Sequence, residues 1–204
     1  NAYMMTGTHH LYNYLPTKHE KWLTMIKQEI IDSGLIIDIL NAKTMEAVFR
    51  LLQGCSFLGS FLAYQYTIDM NYSPYINFSE NDFVKAGIGA IRGIKKCFLC
   101  YGNKCEDAIW YVKEHFNDLL KRYGYTSFHP LPGHEPTLID LQNCFCETDK
   151  YLRAKMPELR IGNVRIKQKY MPHTDPIQFF FPPKWNIVEM YKYKPIVVPT
   201  LFDL

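Results

Sequence analysis

The chain has 204 residues, of which 48% are hydrophobic and 15% aromatic, so it can bury one substantial core, and one compact domain is expected. Its formal charge of +3 is compatible with a polyanionic partner but does not require one. No apolar run approaches the roughly 20 residues of a membrane span, and the first residues lack a signal-peptide hydrophobic region. We therefore expect a soluble intracellular protein without a membrane partner, nuclear if eukaryotic.

The first helices follow from apolar residues at helical spacing. Pro16 and Thr17 offer a break and an N-cap before an amphipathic helix that ends near Gly34. After an apolar run at residues 35–40, Thr44 is a second N-cap, for a helix that leads into a tight turn. Because the chain begins with Asn1, we expect a fragment or processed chain, and flanking domains or a protein partner are possible.

The segment at residues 51–93 holds the most informative pattern. The turn sequence GCSFLG at residues 54–59 separates two apolar-periodic segments, and its glycines can adopt positive φ. This pattern predicts a helix-hairpin-helix, with residues 45–69 forming two antiparallel helices. The first amides of the second helix would suit a nucleic-acid phosphate.

A second glycine-rich turn is predicted farther along this segment. Ser79 is a candidate N-cap for a helix that contains Asp82, and Gly87 and Gly89 are expected to interrupt that helix. No strand precedes these glycines, so they do not form the dinucleotide-binding fingerprint. The sequence thus predicts a close-approach turn that carries Arg92.

The second half of the chain divides into helical and extended parts. Residues 106–123 predict one core helix, and another runs from residue 137 through residue 151, with Glu147, Lys150 and Arg153 close together on its surface. The histidines of the proline-rich loop at residues 129–136 are expected to be solvated. We predict a mainly α single domain, residues 1–204, with a helical core at 17–156 and a mostly extended segment at 157–204 that wraps it, including 179–183 and 192–202.

The six cysteines favour reduced thiols over a disulfide framework. Cys97, Cys100 and Cys105, completed by Cys144 or Cys146, are an alternative zinc set. Cys97 and Cys100 flank apolar residues, however, which is typical of core cysteines. We therefore expect no metal and no cofactor.

Four ordered motifs resemble a known family. They are GSFLAYQ at residues 59–65, TIDMNYS at 67–73, DFVKAGIGAIRGIK at 82–95 and CETDKYLR at 146–153. Over about residues 20–155 they resemble the α-glutamyl/putrescinyl-thymine pyrophosphorylases and the helical domain of 5-hydroxymethyluracil DNA kinases. The family has Gly-Pro-Gly-Ala where this chain has Gly87-Ile88-Gly89-Ala90, and the loss of proline leaves that turn less rigid.

The resemblance implies an all-helical DNA-glycosylase-like fold and hypermodification of a thymine-derived base in DNA. The implied reaction displaces pyrophosphate from a 5-pyrophosphoryloxymethyl-uracil by an amine of an amino acid or polyamine, which makes the chain a transferase. The alternatives are a non-catalytic DNA-binding or protein-interaction module on the same scaffold, or a DNA base glycosylase, since a fold does not prove an activity.

The implied chemistry needs a carboxylate and cations. Asp82 follows Gly59 at about the interval at which helix-hairpin-helix glycosylases carry their catalytic aspartate. We therefore assign Asp82 the lead catalytic role. Alternatively, it is a first-turn carboxylate that complements the helix dipole. Asp69, Glu147 and Lys150 complete the catalytic candidates. Asp69 could instead end a helix, and the other two could form a surface network. Convergence of these four side chains on one pocket would favour the enzyme.

The remaining candidate residues would contact DNA. Seven are assigned to phosphate, of the leaving group or of the DNA strand: Gly59, Ser60, Gly87, Gly89, Arg92, Lys95 and Arg153. Lys96, next to Lys95, is a further candidate for phosphate, and solvated surface is the alternative for the basic residues. Tyr64 and Tyr72, with Tyr66 as a further possibility, are candidates for stacking on a flipped base, although aromatic residues at this density also form cores.

Overall fold

The computed structural model describes residues 9–131, 133–162 and 181–187, and within them it is mainly helical, as predicted. The eight α-helices of this part are α1 Lys18–Met25, α2 Leu35–Asn41, α3 Met45–Gln53, α4 Ser60–Asn71, α5 Ile88–Cys97, α6 Glu106–Glu114, α7 Phe116–Arg122 and α8 Leu138–Lys155. The described ranges contain no strand, only an isolated bridge between Leu131 and His134. None of the described helices has both the length and the apolar composition to cross a membrane.

The predicted N-caps at the first helices are present. The Thr17 side chain accepts a hydrogen bond from the Glu20 amide, and the Glu20 carboxylate accepts one from the Thr17 amide. Thr44 accepts from the Ala47 amide at 3.1 Å. Each such cap stabilises a helix start by about 1 kcal/mol. Helix α1 continues as a π-helical turn, Ile26–Asp32, before Gly34 reverses the chain with a φ of 81°.

The turn between α3 and α4 lies where the sequence predicts it, but its glycines do not supply the positive φ. Gly54 and Gly59 have φ values of −70° and −68°, and Phe57 instead has a φ of 66°. The Phe57 ring stacks on Trp22 with 5.3 Å between centroids, and a carboxylate oxygen of Glu29 accepts from the Ser56 amide at 2.7 Å. Contacts with the preceding helices therefore hold this turn. Helices α3 and α4 pack on each other, while a helix-hairpin-helix in the DNA-binding sense stays a prediction.

The segment before α5 differs from the prediction. No helix begins at Ser79: residues 80–82 form a turn and bend, residues 83–87 are irregular, and Gly87 is the N-cap of α5. Gly89 therefore lies inside a helix rather than in a turn. A Cβ on Gly89 would lie 2.4 Å from the Cys146 sulfur, and one on Gly93 would lie 2.0 Å from the Phe145 carbonyl oxygen. These glycines allow α5 to pack against α8 at a distance that a larger residue would prevent.

Two more predictions need correction. The single helix expected over residues 106–123 is broken at His115 into α6 and α7. Cys97 and Cys100, expected in the core, are exposed. The predicted helix at residues 137–151 is α8, which starts with a capping box between Thr137 and Asp140 and extends to Lys155.

Of the predicted extended segment, only residues 157–162 and 181–187 are described, and they include two short 3-10 turns, Pro157–Leu159 and Pro183–Trp185. The second turn is attached to the helical body. The Lys184 ammonium donates to the carbonyls of Asn71 and Phe78, and the Trp185 indole donates to Glu80 at 2.8 Å. The predicted extended segment at residues 192–202 lies outside the described residues.

The core is formed by residues of seven helices, α1 to α6 and α8. The largest fully buried side chains are Tyr64, Phe49, Met25, Ile39, Met45, Ile94, Ile109 and Leu138. Helices α5 and α8 pack most extensively on each other. This pair, together with the start of α4, positions the site.

Candidate phosphate-binding cleft

A cleft of about 420 Å³ lies where three helices meet. Its walls are the first turns of α4 and α5 and the middle of α8. The lining residues are Phe61, Gln65, Gly87, Ile88, Gly89, Arg92, Gln142, Asn143, Cys146, Glu147, Asp149, Lys150 and Arg153. The cleft therefore combines helix N-terminal backbone with several cationic and amide side chains.

Helix α5 begins in this cleft without a side-chain cap and without an acidic residue in its first turn. The amide of its N-cap, Gly87, is bound, since it donates to Gln142 Oε1 at 3.2 Å. The amides that follow have no earlier helical turn to bond, and the helix dipole places partial positive charge there. This end of α5 is suited to an anion.

Two cationic side chains reinforce that charge. Arg92 is half-buried and, among the described residues, forms no ion pair. Lys150 pairs with Glu147, three residues earlier on α8, and both are exposed. The hydrogen bond to Glu147 raises the pKa of Lys150 above its usual value, so its charge persists at high pH. Lys150 is thus a stable cation and not a proton acceptor.

A buried ion cluster lies between α5 and α8. One oxygen of Asp149 accepts from Lys96 at 2.7 Å, and the other pairs with Arg153 Nε at 3.1 Å. The side chains of Lys96, Asp149 and Arg153 are 2%, 1% and 10% exposed. Buried charges are retained when they are paired in good geometry. Asp149 therefore holds Arg153 in place at the wall of the cleft.

The structure brings together six of the predicted site residues. Gly87, Gly89, Arg92, Glu147, Lys150 and Arg153 all line the cleft. Two of them differ from expectation: Arg153 is buried in the ion cluster and does not lie on the surface of α8, and Gly89 packs on Cys146.

The two predicted catalytic aspartates lie elsewhere. Asp69 lines a separate, apolar pocket of about 210 Å³, with Trp22 and Tyr66 among its neighbours, and burial raises the pKa of its carboxyl. Asp82 is exposed in the bend before α5 and does not line the cleft. The four proposed catalytic side chains therefore do not converge, since only Glu147 and Lys150 share the cleft.

The other candidates also lie outside the lining. Gly59 and Ser60 begin α4 next to Phe61, and the Ser60 hydroxyl accepts from Gln53 at 2.6 Å. Lys95 is exposed farther along α5. Of the stacking candidates, Tyr64 is 2% exposed and meets Phe83 edge-on, and Tyr72 meets Trp185 edge-on at 5.8 Å. Tyr64 and Tyr72 thus make contacts within the protein body.

Sequence reasoning missed Asp149, Gln65 and Gln142. Asp149 lies inside the CETDKYLR motif and precedes Arg153 by one helical turn, a spacing that indicates an ion pair. The sequence suggests Lys96 as a phosphate contact beside Arg92 and Lys95, but its ammonium is buried against Asp149, where α5 and α8 approach closely. The two glutamines become visible only when α4, α5 and α8 are placed together.

The described residues thus form a mainly helical body with a cation-lined cleft at the start of one helix. Among known families, residues 1–161 match the family described as "5-hmdU DNA kinase, helical domain". Because this match covers most of the chain, the protein belongs to that family, and the resemblance seen in its motifs is confirmed. No curated protein and no solved structure gives a match. Membership implies a context of DNA base modification.

Proposed function

We propose that the cleft binds a phosphate-bearing 5-hydroxymethyluracil base in DNA, at the site where that base is modified. The observation that carries this proposal is the uncapped start of α5, which shares the cleft with Arg92 of the same helix and with Lys150 and Arg153 of α8. A phosphate or pyrophosphate ester on the base needs amide donors and fixed cations, and this cleft combines both. Membership of the family described as "5-hmdU DNA kinase, helical domain" supports the choice of this base.

The finer reaction that we propose is displacement of pyrophosphate by an amine. The amine nitrogen attacks the methylene carbon attached to C5 of the uracil, the carbon–oxygen bond breaks, and pyrophosphate leaves with the electron pair. The nitrogen then loses a proton. Cations that neutralise the leaving group lower the barrier to this step. Arg92 and Lys150 serve the leaving group. Glu147 is the exposed carboxylate of the cleft and can accept the proton, whereas Asp149 is buried and paired.

A second candidate is a non-catalytic module that recognises DNA phosphate. The separation of Asp69 and Asp82 from the cleft favours it, because the expected pair of catalytic aspartates is not assembled there. In this case the cleft would bind phosphate, and the chemistry would belong to another domain or partner. The remaining candidate, a base glycosylase, would also need an aspartate near the base.

The test is incubation of the protein with DNA that carries 5-pyrophosphoryloxymethyl-uracil, in the presence of amino acids or polyamines. Nucleoside mass spectrometry then measures the products. Formation of an amine-substituted nucleoside, reduced at least tenfold by Glu147→Gln but not by Glu114→Gln, supports the transferase. Glu114 is an exposed glutamate on α6 and serves as the matched control.

The other outcomes separate the alternatives. Tight binding of this DNA without any change in the nucleoside supports the non-catalytic module. Release of the free base supports a glycosylase. Absence of both binding and turnover contradicts the proposed site.

A further inference from the structure

The wall that α8 contributes to the cleft holds two neighbouring side-chain amides, Gln142 and Asn143. Gln142 is 2% exposed, whereas Asn143 lies at an exposed position. An asparagine or glutamine amide carries N–H donors on one side and a carbonyl acceptor on the other. What such a residue can bind therefore depends on which side faces the ligand.

The start of α5 determines the orientation of the Gln142 amide. The backbone N–H of Gly87 donates to Gln142 Oε1 at 3.2 Å, and only the oxygen of a side-chain amide can accept this hydrogen bond. A Cβ on Gly87 would lie 3.3 Å from the same oxygen, so the missing side chain permits this close approach. The Gln142 nitrogen is therefore left to donate to another group.

Gln142 in turn determines the orientation of the Asn143 amide. Gln142 Nε2 donates to Asn143 Oδ1 at 2.8 Å. If the Asn143 amide turned over, two N–H groups would face each other and this hydrogen bond would be lost. Asn143 Nδ2 has no acceptor among the described residues. Two consecutive hydrogen bonds from the α5 backbone thus leave an oriented N–H donor at the wall of the cleft.

We propose that Asn143 binds the phosphate group directly, by donating from Nδ2 to a phosphate oxygen. This inference rests on the proposed function, because it adds a residue to the same phosphate site. An ionised phosphate offers acceptor oxygens, so it is bound best by donors that have no competing acceptor facing it. Asn143 meets this condition because Gln142 occupies its carbonyl oxygen.

Two substitutions at position 143 should weaken phosphate binding to different extents. Asn143→Asp has the same shape and keeps an oxygen for Gln142 Nε2, but it replaces the outward donor with a negatively charged oxygen. It should reduce phosphate affinity by about tenfold or more, because a hydrogen bond is lost and a like charge is added. Asn143→Ala removes the donor without adding charge and should reduce this affinity by about three- to fivefold.

The experiment measures equilibrium binding of the full chain to two duplexes that differ in one nucleotide, 5-phosphoryloxymethyl-uracil in one and 5-hydroxymethyluracil in the other. The ratio of the two affinities isolates the contribution of the phosphate on the base. Wild-type protein should prefer the phosphorylated duplex by about tenfold or more. Asn143→Ala should reduce this preference by about three- to fivefold, and Asn143→Asp should reduce it by about tenfold or more.

The matched controls carry the same substitutions at Asn117, an exposed asparagine on α7 that does not line the cleft. Asn117→Asp adds the same charge elsewhere, so it should affect both duplexes alike and leave the preference unchanged. Asn117→Ala should also leave it unchanged. Gln142 is not substituted, because its loss would also release the Gly87 amide. Circular dichroism confirms that each variant is folded.

Two results with these variants would overturn the inference alone. The first is a wild-type preference for the phosphorylated duplex that both Asn143 variants retain. The second is a preference that Asn143→Asp reduces and Asn143→Ala does not, because added charge and not a lost donor would then explain the change. If Asn143→Asp does not fold, Asn143→Ala decides. Equal binding of the two duplexes by the wild type would instead contradict the proposed function together with this inference.

Discussion

At the residue scale, Asp149 determines how charge is arranged in the cleft. Its side chain is 1% exposed and lies between two cations. It keeps Arg153 at the wall of the cleft, while Lys96 is buried in the protein. Such a cluster contributes little net stability compared with an apolar core, but removing one partner leaves buried charge uncompensated. The cleft therefore depends on a residue that would not itself contact substrate.

We expect Asp149→Asn to lower the free energy of unfolding by about 3–5 kcal/mol, because Lys96 and Arg153 lose their shared carboxylate. Asp118→Asn, at an exposed position on α7, should change it by less than about 0.5 kcal/mol. Urea denaturation of both variants measures the difference. Equal effects of the two substitutions would show that the cluster has no special role.

Arg92 is the residue at which DNA affinity is tested. With a net charge of only +3, few phosphates are neutralised, so the slope of log affinity against log salt should be about −2 to −4. Arg92→Ala should weaken binding similarly for all DNA sequences and flatten this slope by about one unit. Lys43→Ala, an exposed lysine before α3, should leave the slope unchanged. If Arg92→Ala changes neither affinity nor slope, this face does not contact DNA.

At the element scale, the contact between α5 and α8 forms the floor of the cleft. The two helices approach so closely because Gly89 and Gly93 have no side chain where Cys146 and the Phe145 carbonyl lie. Gly89, which the sequence suggested as part of a phosphate-binding turn, therefore acts mainly through helix packing. The proposed phosphate binding belongs to the helix start that this packing positions.

Gly93→Ser should destabilise the fold by about 1–3 kcal/mol, because its Cβ would lie 2.0 Å from a backbone oxygen that cannot move away easily. Gly59→Ser is the matched control, since nothing lies within 4 Å of a Cβ there and serine is a good N-cap. Thermal unfolding should show a lower midpoint only for the first variant. A normal midpoint for Gly93→Ser would contradict the packing described.

The loop before α5 is attached to α6 by Glu106. Burial raises the pKa of this carboxyl, but its hydrogen bonds with Lys85, at 2.7 Å, and with the Ala86 amide outweigh burial, so the folded pKa lies below 4.5. A lowered folded pKa stabilises the fold above the unfolded pKa, and this contribution is lost as the pH falls through the folded pKa. The stability advantage of wild type over Glu106→Gln should therefore be constant from pH 7 to about pH 5.5 and shrink below about pH 4.5. Exposed Glu114→Gln should show no such dependence; a constant advantage for Glu106 at pH 3 would contradict the assignment.

The sequence predicted the helices whose signals are local. The caps at Thr17 and Thr44, the start of a helix at Thr137 and the apolar periodicity of α3, α4 and α8 needed only neighbouring residues. The predictions that were wrong depended on distant contacts. No local pattern reveals that Phe57 takes the positive φ because Trp22 and Glu29 hold the turn.

The sequence likewise predicted only those residues of the candidate site that have local signals. The sequence predicts Glu147, Lys150 and Arg153 because they are close together along one helix. It predicts Arg92 because this residue lies next to the glycine-rich segment. Asp82 was chosen by its distance along the chain from Gly59, yet it lies in a bend because no helix starts at Ser79. The number of residues between Gly59 and Asp82 therefore did not predict where Asp82 lies in the structure.

At the scale of the whole molecule, the net charge is small, so DNA affinity depends on how the charged groups are arranged locally. A charge of +3 over 204 residues cannot retain DNA by a broad basic surface. In the proposed function, affinity for the substrate comes mainly from the cleft, where the start of α5 and the cations would surround one phosphorylated nucleotide. The central claim is therefore that the protein recognises the phosphate on the modified base.

The most direct test is the affinity of the protein for two duplexes that differ only in one nucleotide, 5-phosphoryloxymethyl-uracil in one and 5-hydroxymethyluracil in the other. We expect the phosphorylated duplex to bind at least tenfold more tightly at about 0.15 M salt. The advantage should disappear in the Arg92→Ala, Lys150→Ala double variant and persist in a Lys18→Ala, Lys43→Ala control that removes two exposed lysines outside the cleft. Equal affinities of wild-type protein for the two duplexes would contradict the claim.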